Sequence, residues 1–568
     1  MITDQFNSAA GDGRSCGGEK DPARTREIAR GIAKAANYLA ATNRGSAFSL
    51  IDEALALCPD SLVIATNCDM SLRWFDALRL EAAANLARAH IHEFPELRIV
   101  LGELERGPLR AIALARRLSS GQQQRSATIP GRIAYVLHSS LPYAGNGYAM
   151  RSHGMAKALI ERGVDLFCVT KPGFPFDLNR HQDGRNVLAT MDAVESVEYH
   201  RITAPRQRDF SRHPCDITAH APIQYLEYAA DAFVRKFTEV RPSCVVSASN
   251  FVVALPAAIA ARQLGLPFIY EVRGFWELTR DSRLPGYLQS SSGQLEVFLE
   301  TAVASAADAV ITLTGPMRDE LMARGVPAER IILAPNACNV ENFVPAPRSV
   351  ALQDRLGFVS TVPVIGYAGS FTPYEGLDDL VEACGNLKSE GLDFRLLLVG
   401  GEPPDEHGAF PVTDRICDLA RRNGIQNRLI MPGAVPHDEV AQWYSLIDIA
   451  PFPRKSLPVT ELVSPLKPLE AMAMEKAVVV SSVGGMCEIV RHEETGLVFA
   501  KGEVKALTAA LRRLLEDADL RQQLGTAARA WVKRERDWSN AAEGLIEAIS
   551  PLIVDHEADD LRVVRKLA

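Results

Sequence analysis

The spacing of hydrophobic residues changes once along the chain, close to Arg132. Between Arg24 and about Ser120, apolar residues recur at helical spacing, as at positions 51, 54 and 55. Beyond Arg132, short apolar runs alternate with amphipathic stretches, a pattern typical of a doubly wound α/β sheet. The sequence therefore predicts an all-α region followed by an α/β part.

The all-α region is predicted to occupy residues 23–127. Pro59 and Pro95 end two of its helices, because proline cannot continue a helix. The resulting helix–proline–helix segments are vaguely similar to tetratricopeptide-type repeats, but their period is irregular and a plain helical bundle fits equally well. Residues 1–22 are rich in Gly, Ser and Asp and are predicted to form a disordered tail.

The α/β part contains two successive series of strand-like runs, separated by a hinge at Pro345 to Arg348. We predict two Rossmann-like domains, residues 128–345 and 346–535, facing a shared cleft, since open parallel sheets bind ligands beyond the carboxyl ends of their strands. Residues 536–568 are expected to form a C-terminal helix and tail that pack back on the first domain. The predicted strands are Ile133–Leu137, Leu166–Val169, Cys244–Ser247, Phe268–Val272, Ala309–Leu313 and Ile331–Leu333, then Val364–Ala368, Arg395–Val399, Leu429–Met431, Ile447–Ala450, Ala477–Ser481 and Leu497–Phe499.

Composition and charge exclude some classes of partner. The 568 residues include 62 Lys and Arg against 70 Asp and Glu, a net charge of −8, so the chain has no overall attraction for nucleic acid. Its 10 cysteines are scattered, which excludes a local zinc cluster and fits buried thiols in a reducing compartment. Residues 1–20 lack the apolar core of a signal peptide, and the apolar run 251–261 is too short to span a bilayer. We expect a cytoplasmic protein, and peripheral contact with the inner face of a membrane is compatible with this.

A glycine loop follows the first predicted strand. Gly145 and Gly147 flank Asn146 just before a helix, where backbone N–H groups can approach an anion. The third glycine of the dinucleotide fingerprint is missing, which argues against a nicotinamide site. The loop is either a donor-binding element or a plain tight turn.

A basic segment in the second domain is the stronger candidate site. We predict that Ser464 and Pro465 form the N-cap and first residue of a helix. Lys467 would lie in its first turns, where a lysine opposes the helix dipole and is best explained by an anionic ligand. With Arg454 and Lys455 it would form a positive site for a diphosphate, although either residue alone could be a solvated surface charge.

Three further residues lie near this predicted site. Glu470 follows Lys467 by three positions, where a carboxylate can accept two ribose hydroxyl hydrogens; it could also be an ordinary helix-surface glutamate. Gly484 and Gly485 follow a predicted strand and would let the backbone approach the same cleft, or form a plain turn.

The span from about Gly131 to Glu535 resembles the family 4 glycosyltransferases of the GT-B fold. The motifs that carry the resemblance are the glycine loop with 148–154, Ala334-Pro335-Asn336-Ala337, Gly366-Tyr367-Ala368-Gly369-Ser370, the segment 461–473, Ser482-Val483-Gly484-Gly485 and Glu494-Thr495-Gly496-Leu497. The segment from Pro453 to Glu470 is most similar to a subgroup linked to bacterial exopolysaccharide assembly.

The resemblance implies a division of labour between the two domains. The carboxy-terminal domain would bind a nucleotide-diphosphate sugar and the amino-terminal domain the acceptor, without a metal or other cofactor and with retention of configuration. Glu470 would hold the ribose, Lys467 and Arg454 would neutralise the diphosphate, and N–H groups from Ser464 to Leu466 would approach the donor.

Two departures from the family pattern affect this assignment. Family members carry two glutamates separated by seven residues, but Glu461 stands one position too early and Leu462 occupies the expected place. The usual Arg and Lys after the first strand of the donor domain are also missing, with Ser370 and Glu375 in that region. We expect Arg454 and Lys467 to supply the missing charge.

The loop after strand Phe268–Val272 supplies two more candidates. Many relatives place a histidine there, whereas this chain has Arg273, which could steady the leaving diphosphate. Glu277 could orient an acceptor hydroxyl; an inter-domain salt bridge is an equal alternative for both residues. The predicted catalytic set is thus Arg273, Glu277, Glu461 and Lys467.

We predict a glycosyltransferase that moves a sugar from a nucleotide-diphosphate donor to a hydroxyl of a glycan or lipid-linked acceptor, in polysaccharide or glycoconjugate synthesis. The alternative is a non-catalytic adaptor or sensor whose helical region binds a protein partner. A nucleotide-sugar epimerase would need an acidic and histidine set that the sequence does not show.

Overall fold

The protein is described by a computed structural model. It describes residues 107–119, 126–176, 190–204, 222–357, 361–405, 407–436 and 439–554, with scattered positions between 81 and 105. Contacts divide the chain into two compact units, Met1–Arg110 and Ala111–Ala568. Most of the predicted helical region and the tail 1–22 lie outside the described residues, so these two predictions remain predictions. In the first unit, Arg88 Nη2 forms a salt bridge of 3.0 Å with Glu105.

The amino-terminal α/β domain is built on an eight-stranded sheet in the order β3-β4-β2-β1-β5-β6-β7-β8. All neighbouring strands are parallel except β3 and β4, which form an antiparallel pair. The strands are β1 Ile133–Leu137, β2 Leu166–Thr170, β3 Met191–Val194, β4 Val197–His200, β5 Cys244–Ala248, β6 Phe268–Val272, β7 Ala309–Thr312 and β8 Ile331–Leu333. Helix α1, Pro108–Arg116, precedes this domain in the chain and lies in the predicted helical region. The helices of the domain are α2 Gly147–Glu161, α3 Ile223–Val240, α4 Phe251–Leu264, α5 Trp276–Asp281, α6 Ser291–Ala306 and α7 Gly315–Ala323.

The carboxy-terminal α/β domain has a six-stranded parallel sheet in the order β11-β10-β9-β12-β13-β14. Its strands are β9 Val364–Ser370, β10 Arg395–Gly401, β11 Leu429–Gly433, β12 Ile449–Phe452, β13 Ala477–Ser481 and β14 Leu497–Phe499. Its helices are α8 Val350–Leu356, α9 Leu377–Ser389, α10 Pro411–Arg422, α11 Val440–Leu446, α12 Pro458–Leu462, α13 Lys467–Ala473, α14 Gly484–Cys487, α15 Val504–Glu516 and α16 Ala518–Glu535. The C-terminal helix α17, Trp538–Val554, follows them.

The burial of the central strands explains why their sequences are continuous apolar runs. Every residue of β1, β5, β6 and β13 is buried, as expected for parallel strands covered by helices on both faces. The prediction of two doubly wound domains is therefore confirmed. Strands β3 and β4 were not predicted, because they are only four residues each and expose alternate side chains.

The C-terminal helix α17 returns to the amino-terminal α/β domain, as expected. Trp538, Ala542 and Leu545 belong to the same hydrophobic core as Met155 and Leu159 of α2. Gly154 permits this close packing, because a Cβ at that position would lie 2.4 Å from Trp538 Nε1. Within the described part of the chain, no helix is long and apolar enough to cross a membrane.

Candidate active site between the two domains

The glycine loop of the amino-terminal domain faces the basic segment of the carboxy-terminal domain. Helix α2 begins at Gly147, and the Asn146 side chain caps it by accepting from Ala149 N at 3.0 Å. A Cβ on Gly147 would stand 3.9 Å from Leu466 Cδ1, whereas Gly145 borders open space. The structure thus brings Gly147 and Leu466 together across the cleft.

Three hydrogen bonds attach the amino-terminal domain to the donor-side loops. Thr314 Oγ1 donates to the Leu462 carbonyl at 2.6 Å, and Asn336 Nδ2 donates to the Ser464 carbonyl at 2.7 Å. The Glu488 carboxylate accepts from Gly315 N, the first residue of α7, at 2.8 Å. Two of these bonds therefore fix the segment from Leu462 to Leu466 to the amino-terminal domain.

The predicted start of the helix in this segment is wrong. Helix α13 begins at Lys467, with Leu466 as N-cap, and Ser464 caps no helix. A helix starting at Pro465 would need an N–H from residue 468 to bond the Ser464 carbonyl, but residue 468 is a proline. Because Pro468 is tolerated only in the first turn, the helix starts later and the Ser464 carbonyl is left for Asn336.

Lys467 and Arg454 meet at one buried carboxylate, that of Glu375. Lys467 Nζ and Arg454 Nη2 each lie 3.0 Å from Glu375 Oε1, and Arg454 Nε lies 3.3 Å from Oε2. Lys467 Nζ also donates to the Tyr367 hydroxyl at 2.5 Å. The side chains of Glu375, Arg454 and Lys467, which we call the charged trio, carry a net charge of about +1 at neutral pH.

Electrostatic interactions within the charged trio favour the ionised forms of Glu375 and Arg454. Burial alone would raise the pKa of Glu375, but Arg454 and Lys467 outweigh it and lower the pKa to about 2. Burial acts to lower the pKa of Arg454, and Glu375 reverses this so that the pKa is raised. The side chain of Arg454 is 8% exposed and that of Lys467 is 19% exposed, so Lys467 is the more accessible cation.

Gly369 makes room for Lys467 at the end of β9. Its φ of +149° lies in a region that side chains rarely adopt, and a Cβ there would lie 2.3 Å from Lys467 Cε. The lysine stem therefore lies directly against the backbone of the strand end. Lys455 is placed apart from the charged trio, because its ammonium group bonds to Asp378 at 2.7 Å.

Glu470 lies on α13, one turn beyond Lys467. Burial raises the pKa of its carboxyl to about 7, against the opposing effects of Lys467 and the Tyr444 hydroxyl. A carboxyl group with this pKa is partly protonated at neutral pH and gains from a ligand that donates hydrogen bonds to its ionised form.

Glu461 connects three donor-side elements. Its carboxylate accepts from Gly484 N at 2.9 Å, from Ser456 Oγ at 2.6 Å and from Lys501 Nζ at 2.6 Å. Gly484 and Gly485 lie directly against this segment, because added Cβ atoms would stand 2.5 Å from the Glu461 carbonyl and 2.4 Å from the Val463 carbonyl. The glycines thus hold the donor-side loops close together, and Glu461 fixes the turn.

Arg273 is buried inside the amino-terminal domain. Its guanidinium donates to Glu271 Oε2 at 2.6 Å, to Ser152 Oγ at 2.7 Å and to the Tyr148 carbonyl at 2.9 Å. It is 4% exposed, and these three hydrogen-bond partners all lie in the amino-terminal domain. These bonds tie the loop after β6 to helix α2, and the assignment of Arg273 to the leaving diphosphate stays a prediction.

Glu277 is likewise enclosed in the amino-terminal domain. It is fully buried, and its Oε1 accepts from Arg324 Nη1 at 2.7 Å. The ion pairs of Arg273 and Glu277 therefore both form within one domain, and neither residue forms the inter-domain salt bridge that was the alternative interpretation.

Glu375 was not predicted as a site residue from the sequence, and neither was an aromatic cluster in the amino-terminal domain. The Trp276 ring lies 5.0 Å from that of His138 and 5.4 Å from that of Tyr148, at the carboxyl ends of the first sheet. Glu375 could have been found from its place in the motif, where the family has a cation. The aromatic residues carry no such signal, because they are far apart in the sequence.

A cavity of 530 Å³ opens at the carboxyl ends of β9, β10 and β11. Apolar side chains and glycines line most of it: Phe371, Gly400, Gly401, Phe410, Met431 and Gly433. Among the described residues, no group of three or more carboxylate, thiol and imidazole side chains is arranged to hold a metal ion.

Family models match both α/β domains. The model described as glycosyl transferases group 1 matches residues 351–531, and the glycosyl transferase 4-like domain matches residues 146–337. The chain belongs to the family 4 glycosyltransferases of the GT-B fold. It is a glycosyltransferase, and the comparisons support this interpretation over the non-catalytic adaptor.

Two proteins with similar sequences have names that fit this family. The chain is 26% identical to D-inositol 3-phosphate glycosyltransferase of Xylanimonas cellulosilytica over 51% of this chain and 67% of that one. It is 26% identical to the alpha-maltose-1-phosphate synthase of Mycolicibacterium smegmatis over 64% of this chain and 92% of that one.

Solved structures share the fold. Sucrose-phosphate synthase of Thermosynechococcus elongatus matches with a TM-score of 0.59 and 20% identity, over 75% of this chain and 99% of that one. HepE of Anabaena, solved in complex with UDP-glucose, matches with a TM-score of 0.55 and 17% identity, over 74% of this chain and 99% of that one.

Proposed function

We propose that the donor is a nucleotide-diphosphate sugar bound by the carboxy-terminal domain, with its diphosphate at the charged trio. The observation that carries this proposal is the meeting of Lys467 and Arg454 at the cleft-facing ends of β9 and β12. Lys467 is the more accessible cation and would contact the phosphate oxygens. Arg454 is more deeply buried and would contribute its positive charge to the site.

The remaining parts of such a donor have places on either side of the charged trio. Glu470 would accept the two ribose hydroxyls, because it lies on the same helix as Lys467. The apolar cavity next to β9 and β10 has the size and lining suited to a nucleobase. The bound UDP-glucose in HepE, a protein of the same fold, supports this class of donor.

The chemistry requires stabilisation of the negative charge that develops on the leaving diphosphate. Fixed cations in a partly buried site provide this stabilisation without reorganising during the reaction. Because two cations are already in place, we propose that transfer needs neither a metal ion nor another cofactor, and that it proceeds with retention of configuration, as is usual in the family.

The acceptor would bind at the amino-terminal domain, against His138, Tyr148 and Trp276. Aromatic rings form a suitable platform for the apolar face of a sugar, and these three rings lie together at the carboxyl ends of the first sheet. We propose that the acceptor is a hydroxyl group of a glycan or lipid-linked sugar in polysaccharide assembly, reached at the inner face of the membrane. The similarity of the basic segment to the exopolysaccharide subgroup supports this choice.

A panel of nucleotide sugars tests the proposal. The purified protein is incubated with each donor and candidate acceptors, and release of nucleoside diphosphate is measured alongside thermal stabilisation. We expect one donor to stabilise the protein and to release its nucleoside diphosphate, and a Lys467→Met variant to release none. Absence of both stabilisation and release across the panel would contradict the proposed donor class.

A further inference from the structure

Glu375 is the one anionic member of the charged trio, and the proposed reaction does not itself need a negative charge there. Its side chain is 2% exposed, and each of its two oxygens bonds to a cation. A buried carboxylate is costly unless it is paired, so this residue and its partners form one built unit.

We propose that Glu375 is a positioning residue of the transfer reaction: its carboxylate fixes the separation and orientation of Arg454 and Lys467 before the donor arrives. This inference rests on the proposed function, because it assigns these cations to the donor diphosphate. Glu375 itself contacts no reacting atom in this scheme.

The shared oxygen sets the distance between the two cations. Arg454 Nη2 and Lys467 Nζ are each 3.0 Å from Glu375 Oε1, so they cannot be more than 6.0 Å apart. Two like charges at such a separation repel each other in a poorly solvated site. The carboxylate between them removes this repulsion and holds both groups at one face of the cleft.

The backbone around Glu375 is fixed to the segment that carries Arg454. Lys455 N donates to the Tyr374 carbonyl at 2.9 Å, and the Arg454 guanidinium lies 5.5 Å from the Tyr374 ring centroid. Gly376 has a φ of +72°, and a Cβ there would lie 2.0 Å from the Pro453 carbonyl oxygen. The two loops are therefore packed with no room for adjustment, as a positioning role requires.

Affinity for the donor does not explain a carboxylate at this place. A negative charge reduces the attraction of the site for a diphosphate, whereas the family pattern has a cation in this region. A group that weakens ground-state attraction but aligns two cations contributes to the transition state more than to binding. The inference therefore predicts that binding and turnover respond differently to the loss of this charge.

Three variants distinguish a role of Glu375 in orienting the two cations from a purely structural role. Glu375→Gln removes the charge with little change of shape, and Glu375→Asp retains the charge on a shorter side chain. Asp378→Asn is the matched control, because Asp378 also pairs with a lysine of the basic segment, Lys455, but lies outside the charged trio. UDP, GDP, ADP and dTDP serve as binding probes, and nucleoside diphosphate release from the cognate donor reports kcat and KM.

We expect Glu375→Gln to lower kcat by about 100-fold while the affinity for the bound nucleoside diphosphate is unchanged or tighter. Glu375→Asp should recover part of the lost kcat, and Asp378→Asn should behave as the wild type. Unchanged kcat in Glu375→Gln, or a parallel loss of kcat and of nucleotide affinity, overturns the inference. If the wild type itself binds no nucleoside diphosphate, the proposed donor fails and the inference fails with it.

Discussion

The raised pKa of Glu470, together with the proposed ribose contact, predicts that donor binding depends on pH. Burial raises the pKa of this carboxyl to about 7 in the unliganded protein. A carboxylate can accept hydrogen bonds from both ribose hydroxyls, whereas the protonated acid loses one acceptor. Because only the ionised form can make both proposed bonds, we expect the affinity for the donor to rise as the pH rises through this pKa.

The size of the effect follows from the fraction of ionised Glu470. With a pKa of about 7, about one-tenth of the protein is ionised at pH ~6 and about nine-tenths at pH ~8. The apparent Kd scales inversely with the competent fraction, so it should tighten about tenfold over this range, or ~1.4 kcal/mol. Glu375 does not contribute, because its pKa is lowered to about 2 and it stays ionised throughout.

Isothermal titration with the cognate nucleotide sugar measures this dependence. A nucleotide sugar is preferable to a nucleoside diphosphate, whose terminal phosphate titrates near pH ~6. Burial also raises the pKa of Glu296 to about 7 and that of Glu300 to about 8 in the amino-terminal domain, so wild type and Glu470→Gln must be compared. The variant should show a flat profile, and Glu516→Gln, an exposed glutamate of α15, should retain the wild-type slope. A pH-independent wild type, or an unchanged slope in Glu470→Gln, would refute the ribose assignment.

Two further predictions concern catalysis and packing. Lys467→Met should lower kcat by at least about 100-fold in nucleoside diphosphate release, with an unchanged circular dichroism spectrum, because it removes the accessible cation; turnover within about twofold of wild type would contradict this role. Helix propensity alone predicts that Gly154→Ala adds about 1 kcal/mol of stability, but the overlap with Trp538 should instead cost about 1–3 kcal/mol in urea unfolding. Gly544→Ala in α17 is the control and should be neutral or stabilising, because nothing lies within 4 Å of its added Cβ. If both alanine variants change the free energy of unfolding equally, the overlap with Trp538 does not affect stability.

The sequence was sufficient to predict the fold because parallel strands buried on both faces leave continuous apolar runs. Each predicted strand is present, with β12 two residues later than expected at Ile449–Phe452. The pair β3 and β4 escaped prediction because these strands of four residues expose part of their side chains and lack such runs.

Local helix signals were less reliable at the site. Ser464 followed by Pro465 has the composition of a helix start, but Pro468 three residues later cannot donate the bond that this helix would need. The tertiary contact from Asn336 to the Ser464 carbonyl uses the group that remains. Pro468 is visible in the sequence and argues against this helix start, whereas the contact from Asn336 in the other domain is not visible there.

The candidate site was predicted in its residue types more than in its arrangement. Lys467 and Arg454 were expected to replace the missing cations, and the structure brings both together at Glu375. Arg273 and Glu277 follow a cleft-facing strand end, yet their side chains turn into the domain interior, where Glu271 and Arg324 pair with them. Side-chain direction at a loop depends on such partners, which no sequence spacing reveals.

A crystal structure of the protein with its cognate nucleotide sugar tests the central claim most directly. We predict that an oxygen of the diphosphate lies within about 3 Å of Lys467 Nζ, with the ribose hydroxyls at Glu470. A nucleotide bound elsewhere, with Lys467 still paired only to Glu375 and Tyr367, would contradict the account.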